Sequence, residues 1–98
     1  MTNYYAYIIK CEDDSYYTGY STNPLKRFEK HKAGKGAKYT RSHKPVSLEL
    51  TVECESKSDA LKREYQIKKL SHIEKATIIE LYKLFIMKGI LDAKYVLV

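Results

Sequence analysis

Six of the chain's ten tyrosines fall within its first twenty residues, at positions 4, 5, 7, 16, 17 and 20. They sit in two short runs rich in aromatic and β-branched side chains, separated by Glu12-Asp13-Asp14-Ser15. Such runs read as strands, and the residues between them as a turn whose short side chains bond to nearby backbone. A β-hairpin over residues 4–11 and 16–20 therefore opens the chain, and the fold must be built around that antiparallel pair. Alternate strand residues share a face, so Tyr5, Tyr7 and Ile9 project together.

The remaining elements follow from local signals. Asn23 is placed to cap a helix, and Pro24 fits its first position, where a missing N–H is no loss. That helix is expected over residues 24–33, stopping at Gly34. Residues 34–45 read as a basic loop and residues 46–54 as a third strand. Ser58 is expected to cap a second helix reaching residue 70. Ser71-His72-Ile73-Glu74 has the pattern of a capping box and opens a third helix, with Gly89 to end it. The last five residues, 94–98, suit a frayed tail, a strand or a dimer contact. The order β-β-α-β-α-α is an α+β domain with a small three-stranded antiparallel sheet flanked by helices, one sheet face covered and the other partly open. The chain divides into a domain over residues 1–82 and a C-terminal tail over residues 83–98.

With 98 residues, the chain hides only roughly 60–65% of the surface its unfolded form exposes, so a shallow surface site is expected rather than a cofactor-sized cavity. Lys and Arg number 18 against 12 acids, a net charge of +6. That balance suits a polyanion such as nucleic acid. Cys11 and Cys54 stand alone, without metal-ligand spacing, and read as two reduced thiols. The N-terminus carries no signal-peptide pattern. The most apolar stretch, residues 81–91, contains two lysines and falls short of the ~20 residues that span a bilayer. A cytoplasmic location without membrane association is expected.

Four groups of residues carry chemistry. On the second helix, positions 60, 61, 64, 67 and 68 share a side. Ala60, Leu61 and Ile67 make it apolar, and Glu64 sits among them. An unpaired carboxylate there would be destabilising by several kcal/mol, so it needs a metal, a cation or a hydrogen-bond network. A salt bridge to a nearby Lys or Arg, or a helix rotated to wet Glu64, would also serve. Arg27 and His31 are four apart on the first helix. A guanidinium there can grip phosphate oxygens, and an imidazole can donate a proton to a leaving oxygen or orient a water. Their bland alternative is a solvated face beside Lys26, Lys30 and Lys32. Most of the tyrosines suit cross-strand packing, while Tyr7 and Tyr17 are the two that could converge on Arg27 and Glu64. A phenol is a poor base near its usual pKa of ~10, and a metal with an Arg beside it would lower that value. In the basic loop, Lys35, Lys38, Tyr39 and Arg41 suit a phosphate backbone and one stacked base.

Taken in order, these residues resemble the GIY-YIG nuclease superfamily, in its small single-domain branch akin to the nuclease modules of UvrC and intron endonucleases. The resemblance spans about residues 4–80. It is carried by Tyr5-Ala6-Tyr7-Ile8-Ile9-Lys10-Cys11, Ser15-Tyr16-Tyr17-Thr18-Gly19, Arg27 with His31, Gly34-Lys35-Gly36-Ala37-Lys38-Tyr39-Thr40, and Ala60-Leu61-Lys62-Arg63-Glu64. It implies Tyr7 as general base or water activator, assisted by Tyr17. Arg27 would stabilise the charged phosphorane-like state, His31 would support proton transfer, and Glu64 would be the only protein ligand of Mg²⁺ or Mn²⁺. The implied reaction is phosphodiester hydrolysis leaving a 5′-phosphate and a 3′-hydroxyl, with DNA ahead of RNA as substrate and repair or recombination intermediates as its form. Two departures stand out: the first tripeptide is Tyr-Ala-Tyr, without its glycine, and the late asparagine of many members is missing, since Asn occurs only at 3 and 23. With no targeting module attached, a protein partner could supply targeting, and the oligomeric state is left open. The alternatives are a weakly active or inactive nucleic-acid-binding accessory domain, and a protein-interaction domain using the apolar tail.

Overall fold

The computed structural model describes residues 3–89. Its elements run β1 (Tyr4–Cys11), β2 (Tyr16–Ser21), α1 (Pro24–Lys32), α2 (Lys38–Ser42), β3 (Pro45–Cys54), α3 (Lys57–Lys68) and α4 (His72–Met87). The fold is α+β, with one antiparallel sheet in the order β2-β1-β3.

The hairpin closes as its turn chemistry demands. Asp13 Oδ1 accepts from the Ser15 N–H at 3.1 Å and from the Ser15 hydroxyl at 2.6 Å. The Cys11 N–H donates to Ser15 O at 2.9 Å, and Asp14 takes φ 65°, a left-handed conformation that Asp tolerates better than most residues.

Central β1 is buried on both faces. Ala6 and Ile8 pack with Leu50, Val52, Ala60, Ile67 and Ile79, beneath α3 and α4. Tyr7, Ile9 and Cys11 face the other way, onto Phe28 of α1 and Leu48. The second face, which three strands could have left partly open, is covered by α1. Each fully buried Ile or Leu contributes about 1.5–3 kcal/mol, so the two layers together hold β1 in place. Free Cys11 and Cys54 fall on opposite faces of this core.

Helix ends follow the local signals, with two corrections. Asn23 Oδ1 accepts from the Lys26 N–H at 3.1 Å, Pro24 opens α1, and Gly34 follows its end at φ 77°. Ser71 and Glu74 form the reciprocal capping box at 3.1 and 2.8 Å, and Gly89, at φ 74°, ends α4. The cap of α3, however, is Ser56, whose hydroxyl accepts from the Asp59 N–H at 3.1 Å, and not Ser58, which lies inside the helix. The segment read as a plain basic loop contains the single helical turn α2. Helix α4 passes residue 82 without a break. Residues 94–98, expected to form a frayed tail, a strand or a dimer contact, lie outside the described residues. Among the described residues no helix is long and apolar enough to cross a membrane.

Candidate active site

Tyr7 sits opposite Gly19 in the β1–β2 register. A Cβ at position 19 would lie 2.6 Å from the Tyr7 hydroxyl oxygen and 2.7 Å from Cζ. Only glycine therefore lets the phenol lie flat across β2. The Tyr7 side chain is 1% exposed. Burial, foremost, pushes its pKa well above the usual phenol range, with Tyr17 and the charge of Glu64 adding to the rise. Arg27 opposes this through hydrogen bonding and its positive charge. The expected lowering by arginine thus has the right sign, but burial outweighs it.

His31 lies 0% exposed behind Tyr7, so the solvated-face alternative does not hold. Its Nε2 is 2.9 Å from the Tyr7 hydroxyl and its Nδ1 is 2.7 Å from Thr40 Oγ1. A Cβ at Gly36 would come within 2.2 Å of Nδ1, so this glycine is what admits the ring. Burial first, and then the Arg27 charge, hold the imidazole below its ordinary pKa and hence neutral. Sequence reasoning gives Gly36 only as flexible loop backbone and assigns Thr40 no role, although both stand in the Gly34–Thr40 motif. His31 meets the site through the Tyr7 hydroxyl and the Tyr17 ring.

Around this pair stand the other expected groups. The Tyr17 ring lies 4.9 Å from His31 and 6.4 Å from Tyr7, centre to centre. Arg27 is half-buried, and its Nε is shielded from solvent with no hydrogen-bond partner among the described residues. Glu64 acts on Tyr7 through its charge, so α3 delivers its carboxylate to the same site. Its side chain is 15% exposed and pairs with Lys68 Nζ at 3.0 Å, one of the partners left open by the sequence. Ala60 and Ile67 beside it are buried as expected, whereas Leu61 is 40% exposed.

The basic segment borders this cluster. Tyr39, on α2, stacks on His43 with centroids 4.0 Å apart and approaches Tyr17 at 6.0 Å. His43 in turn bonds Asp13 Oδ2 at 2.6 Å, which ties this row of rings to the hairpin turn. Lys35, Lys38 and Arg41 carry their charges around it. Behind α2, Arg41 joins Lys32, Lys44 and Glu12 around a cleft of about 560 Å³.

Compared with known families, residues 3–76 match the GIY-YIG catalytic domain. This chain belongs to the GIY-YIG family. A UPF0213 protein of Staphylococcus haemolyticus is 50% identical over 80 residues, covering 82% of this chain and 98% of the relative. One from Halobacterium salinarum is 48% identical over 75 residues, with 76% and 97% covered. Solution NMR structures are similar too. That of the UPF0213 protein BH0048 from Bacillus halodurans has a TM-score of 0.52 at 46% identity, covering 81% of this chain and 84% of that one. That of EF2693 from E. faecalis has 0.58 at 34% identity, covering 86% and 90%. The GIY-YIG family is one of nucleases, so nucleic acid is the partner class.

In this GIY-YIG domain both departures have a structural setting. Ala6 points away from Tyr7 into the opposite core layer, where its methyl is fully buried. Asn3 bonds Glu53 and Asn23 caps α1, so neither asparagine stands in for the missing late one. As to a metal, no cluster of three or more His, Cys, Asp and Glu is gathered among the described residues. A single carboxylate, Glu64, whose charge reaches Tyr7, would fit Mg²⁺, which binds through one or two carboxylates plus phosphate oxygens and keeps several waters. It does not suit zinc, which wants three or four nitrogen or sulfur ligands.

Proposed function

We propose that this GIY-YIG domain is a Mg²⁺- or Mn²⁺-dependent endonuclease hydrolysing DNA phosphodiesters, with repair or recombination intermediates that expose unpaired bases as its substrates. The observation that carries this reading is the solvent-shielded Nε of Arg27, without a partner among the described residues, near the Tyr7–His31 hydrogen bond. A buried donor left bare is destabilising by about 1–3 kcal/mol, and an arriving phosphate oxygen would satisfy it with a charge-assisted bond.

In this reading Tyr7 is a relay and His31 the base. The ordinary pKa values of ~10 and ~6.5 differ by about 3.5, so moving the Tyr7 proton to His31 in the resting protein is uphill by about 5 kcal/mol. Burial widens that gap, since it raises Tyr7 and lowers His31. A free phenolate therefore never accumulates. Instead, as water attacks phosphorus, its proton passes to the Tyr7 oxygen while the Tyr7 proton passes to His31 Nε2. The P–O3′ bond breaks, the 3′ oxygen departs as an alkoxide that takes a proton from solvent water to become the 3′-hydroxyl, and the 5′-phosphate stays behind. Arg27 holds two phosphoryl oxygens as their charge grows, and Tyr17 borders the attacking water. Mg²⁺, held by Glu64, supplies charge neutralisation at the phosphate when bound. Lys35, Lys38 and Arg41 contact the flanking backbone, and Tyr39 with His43 offers an aromatic rail for an unpaired base.

A nucleic-acid-binding module without turnover is the second reading, favoured by the Glu64–Lys68 ion pair that occupies the one candidate metal ligand. Purified protein, given flapped, branched and single-stranded DNA with Mg²⁺ or Mn²⁺, separates the two. The nuclease reading expects nicks that disappear in Glu64→Ala and Arg27→Ala while DNA binding by Glu64→Ala persists. Equal trace cleavage by wild type and Glu64→Ala on the whole panel would reject it.

A further inference from the structure

Thr40 is buried, nine residues from His31 in sequence, and its hydroxyl makes three contacts. Its oxygen lies 3.0 Å from Ala37 O, 3.2 Å from Ala37 N and 2.7 Å from His31 Nδ1. A hydroxyl has one proton and two lone pairs. If the proton went to His31, Thr40 Oγ1 and Ala37 O, which also accepts from the Arg41 N–H at 3.2 Å, would face each other at 3.0 Å with no proton between them. If it goes to Ala37 O, every contact is used: the Thr40 oxygen then accepts from the Ala37 N–H and from a proton on His31 Nδ1.

The other end of the ring gives the same answer. Neutral imidazole carries one ring proton, so a protonated Nδ1 leaves Nε2 bare to accept the Tyr7 O–H. A phenol is a ready O–H donor to a bare imidazole nitrogen, and the 2.9 Å contact between the Tyr7 oxygen and Nε2 fits that direction. Gly36, with no room for even a Cβ beside Nδ1, keeps the ring clasped in this orientation.

We propose that Thr40 is a positioning residue that fixes His31 in the Nδ1–H tautomer and thereby sets the direction of the Tyr7-to-His31 proton relay. The catalytic consequence rests on the nuclease reading above, whereas the tautomer stands on hydrogen-bond geometry alone. In the relay, one proton leaves Tyr7 for Nε2 and one reaches Tyr7 from water. The resulting imidazolium keeps its Nδ1 proton on Thr40, so no group is left with two protons to donate in one direction.

The test is heteronuclear NMR of ¹⁵N-labelled protein at neutral pH, read at the ring nitrogens of His31. Its signals are assigned against His43 and His72 by their loss in His31→Gln. Wild type should show a protonated Nδ1 and an unprotonated Nε2. Thr40→Val, which keeps the shape and removes the hydroxyl, should abolish that preference and lower kcat by about 10- to 100-fold with KM for DNA unchanged, the usual effect of removing an orienting partner. Thr40→Ser should restore both readouts. The idea is overturned if wild-type His31 is protonated at Nε2, if Thr40→Val keeps the wild-type tautomer, or if its tautomer changes without loss of kcat. A wild type that cuts no substrate would sink the nuclease reading, yet the same spectra would still decide the tautomer.

Discussion

The hydroxyl of Tyr7 lies 2.9 Å from Nε2 of His31, and neither side chain has meaningful contact with solvent. One residue comes from the central strand and the other from the helix covering its face, so this bond ties sheet to helix as well as joining two reactive groups. Structural and catalytic roles are separable by substitution. Tyr7→Phe keeps the ring over Gly19 and removes the oxygen, and His31→Gln keeps a polar group of similar reach. Each should lower kcat by about 10²–10⁴-fold, the range for a lost acid–base partner. Because both belong to one relay, the double variant should be no slower than the slower single, as expected for groups acting as a unit. Losses that multiply would show that the two act independently.

Burial of this pair also predicts the shape of stability against pH. His31 is held below its ordinary pKa, chiefly by desolvation. The folded protein thus binds fewer protons there than the unfolded chain, and stability is lost as pH falls from about 6.5. Tyr7 is raised, so the folded state holds its proton longer and stability is lost as pH rises above about 10. Asp13, lowered to about 2 by Ser15 and then by His43, adds a separate acid limb between about 4 and 2. Thermal scans should therefore show a plateau from about pH 6.5 to about 8.5, above which the Cys11 and Cys54 thiols, raised by burial, join Tyr7 in the alkaline loss. His31→Gln should flatten only the acid limb that begins at about 6.5. An unchanged limb in that variant would refute the assignment.

Two glycines are predicted to be sensitive for a reason that Gly89 does not share. An alanine Cβ would meet the Tyr7 hydroxyl oxygen at 2.6 Å from position 19 and His31 Nδ1 at 2.2 Å from position 36. Both targets are buried rings hydrogen-bonded to each other, so neither can swing away cheaply. Gly19→Ala and Gly36→Ala should each be destabilising by about 1–3 kcal/mol through overpacking, and each should lose cleavage out of proportion to the drop in Tm. At Gly89 an added methyl would meet none of the described residues within 4 Å, and φ 74° is what opposes it there. Gly89→Ala should lower Tm slightly, by about 1 kcal/mol of left-handed strain, and leave kcat alone. Chemical denaturation paired with single-turnover cleavage measures both.

How far the sequence could be read depended on how local each signal was. Asn23-Pro24 and the Ser71–Glu74 box satisfy their own backbone donors within four residues, so those helix starts were legible. The choice between Ser56 and Ser58 was not, because either serine could cap and the run of β3 into Cys54 decides which one is extended. Helix α2, with five residues, is too short to be stable by itself. It forms where Thr40 meets His31, a contact that spacing alone does not reveal. Burial of His31 was likewise hidden, since an R-x-x-x-H pair among lysines looks like a wet face until Gly36 and Thr40 close over it. For the site, Tyr7, Tyr17, Arg27 and Glu64 do converge electrostatically or by contact, while the partner that orients His31 was invisible among the loop's cations.

Glu64 pairs with Lys68 at 3.0 Å, and under the nuclease reading the same carboxylate would hold the metal. The pair spans one helical turn, with Lys68 mostly exposed, so it is worth only about 0.2–1 kcal/mol. Removing the lysine should therefore favour the metal modestly. Lys68→Ala is expected to lower the Mg²⁺ concentration for half-maximal cleavage by about 1.5- to 5-fold, from that same energy. Glu64→Gln should abolish the metal response altogether, with or without Lys68. A metal titration of cleavage checks this, and a Lys68→Ala protein needing more Mg²⁺ than wild type would place Glu64 in a purely structural ion pair.

The rail of Tyr17, Tyr39 and His43 and the cations around it should separate by salt dependence. Lys35, Lys38 and Arg41 carry charges at the surface, so contacts they make with phosphates release counterions. Replacing any one of them by Ala should reduce the slope of log affinity against log salt by about 0.7 on single strands. Tyr39, 38% exposed and backed by His43 at 4.0 Å, contributes stacking, which releases no ions. Tyr39→Ala should weaken single-stranded DNA binding by about 1–3 kcal/mol without changing that slope. It should weaken blunt duplex much less, because a paired base cannot leave its stack to reach the ring. Filter binding across a salt series on both substrates makes the comparison, and equal losses on duplex and single strand would remove Tyr39 from base recognition.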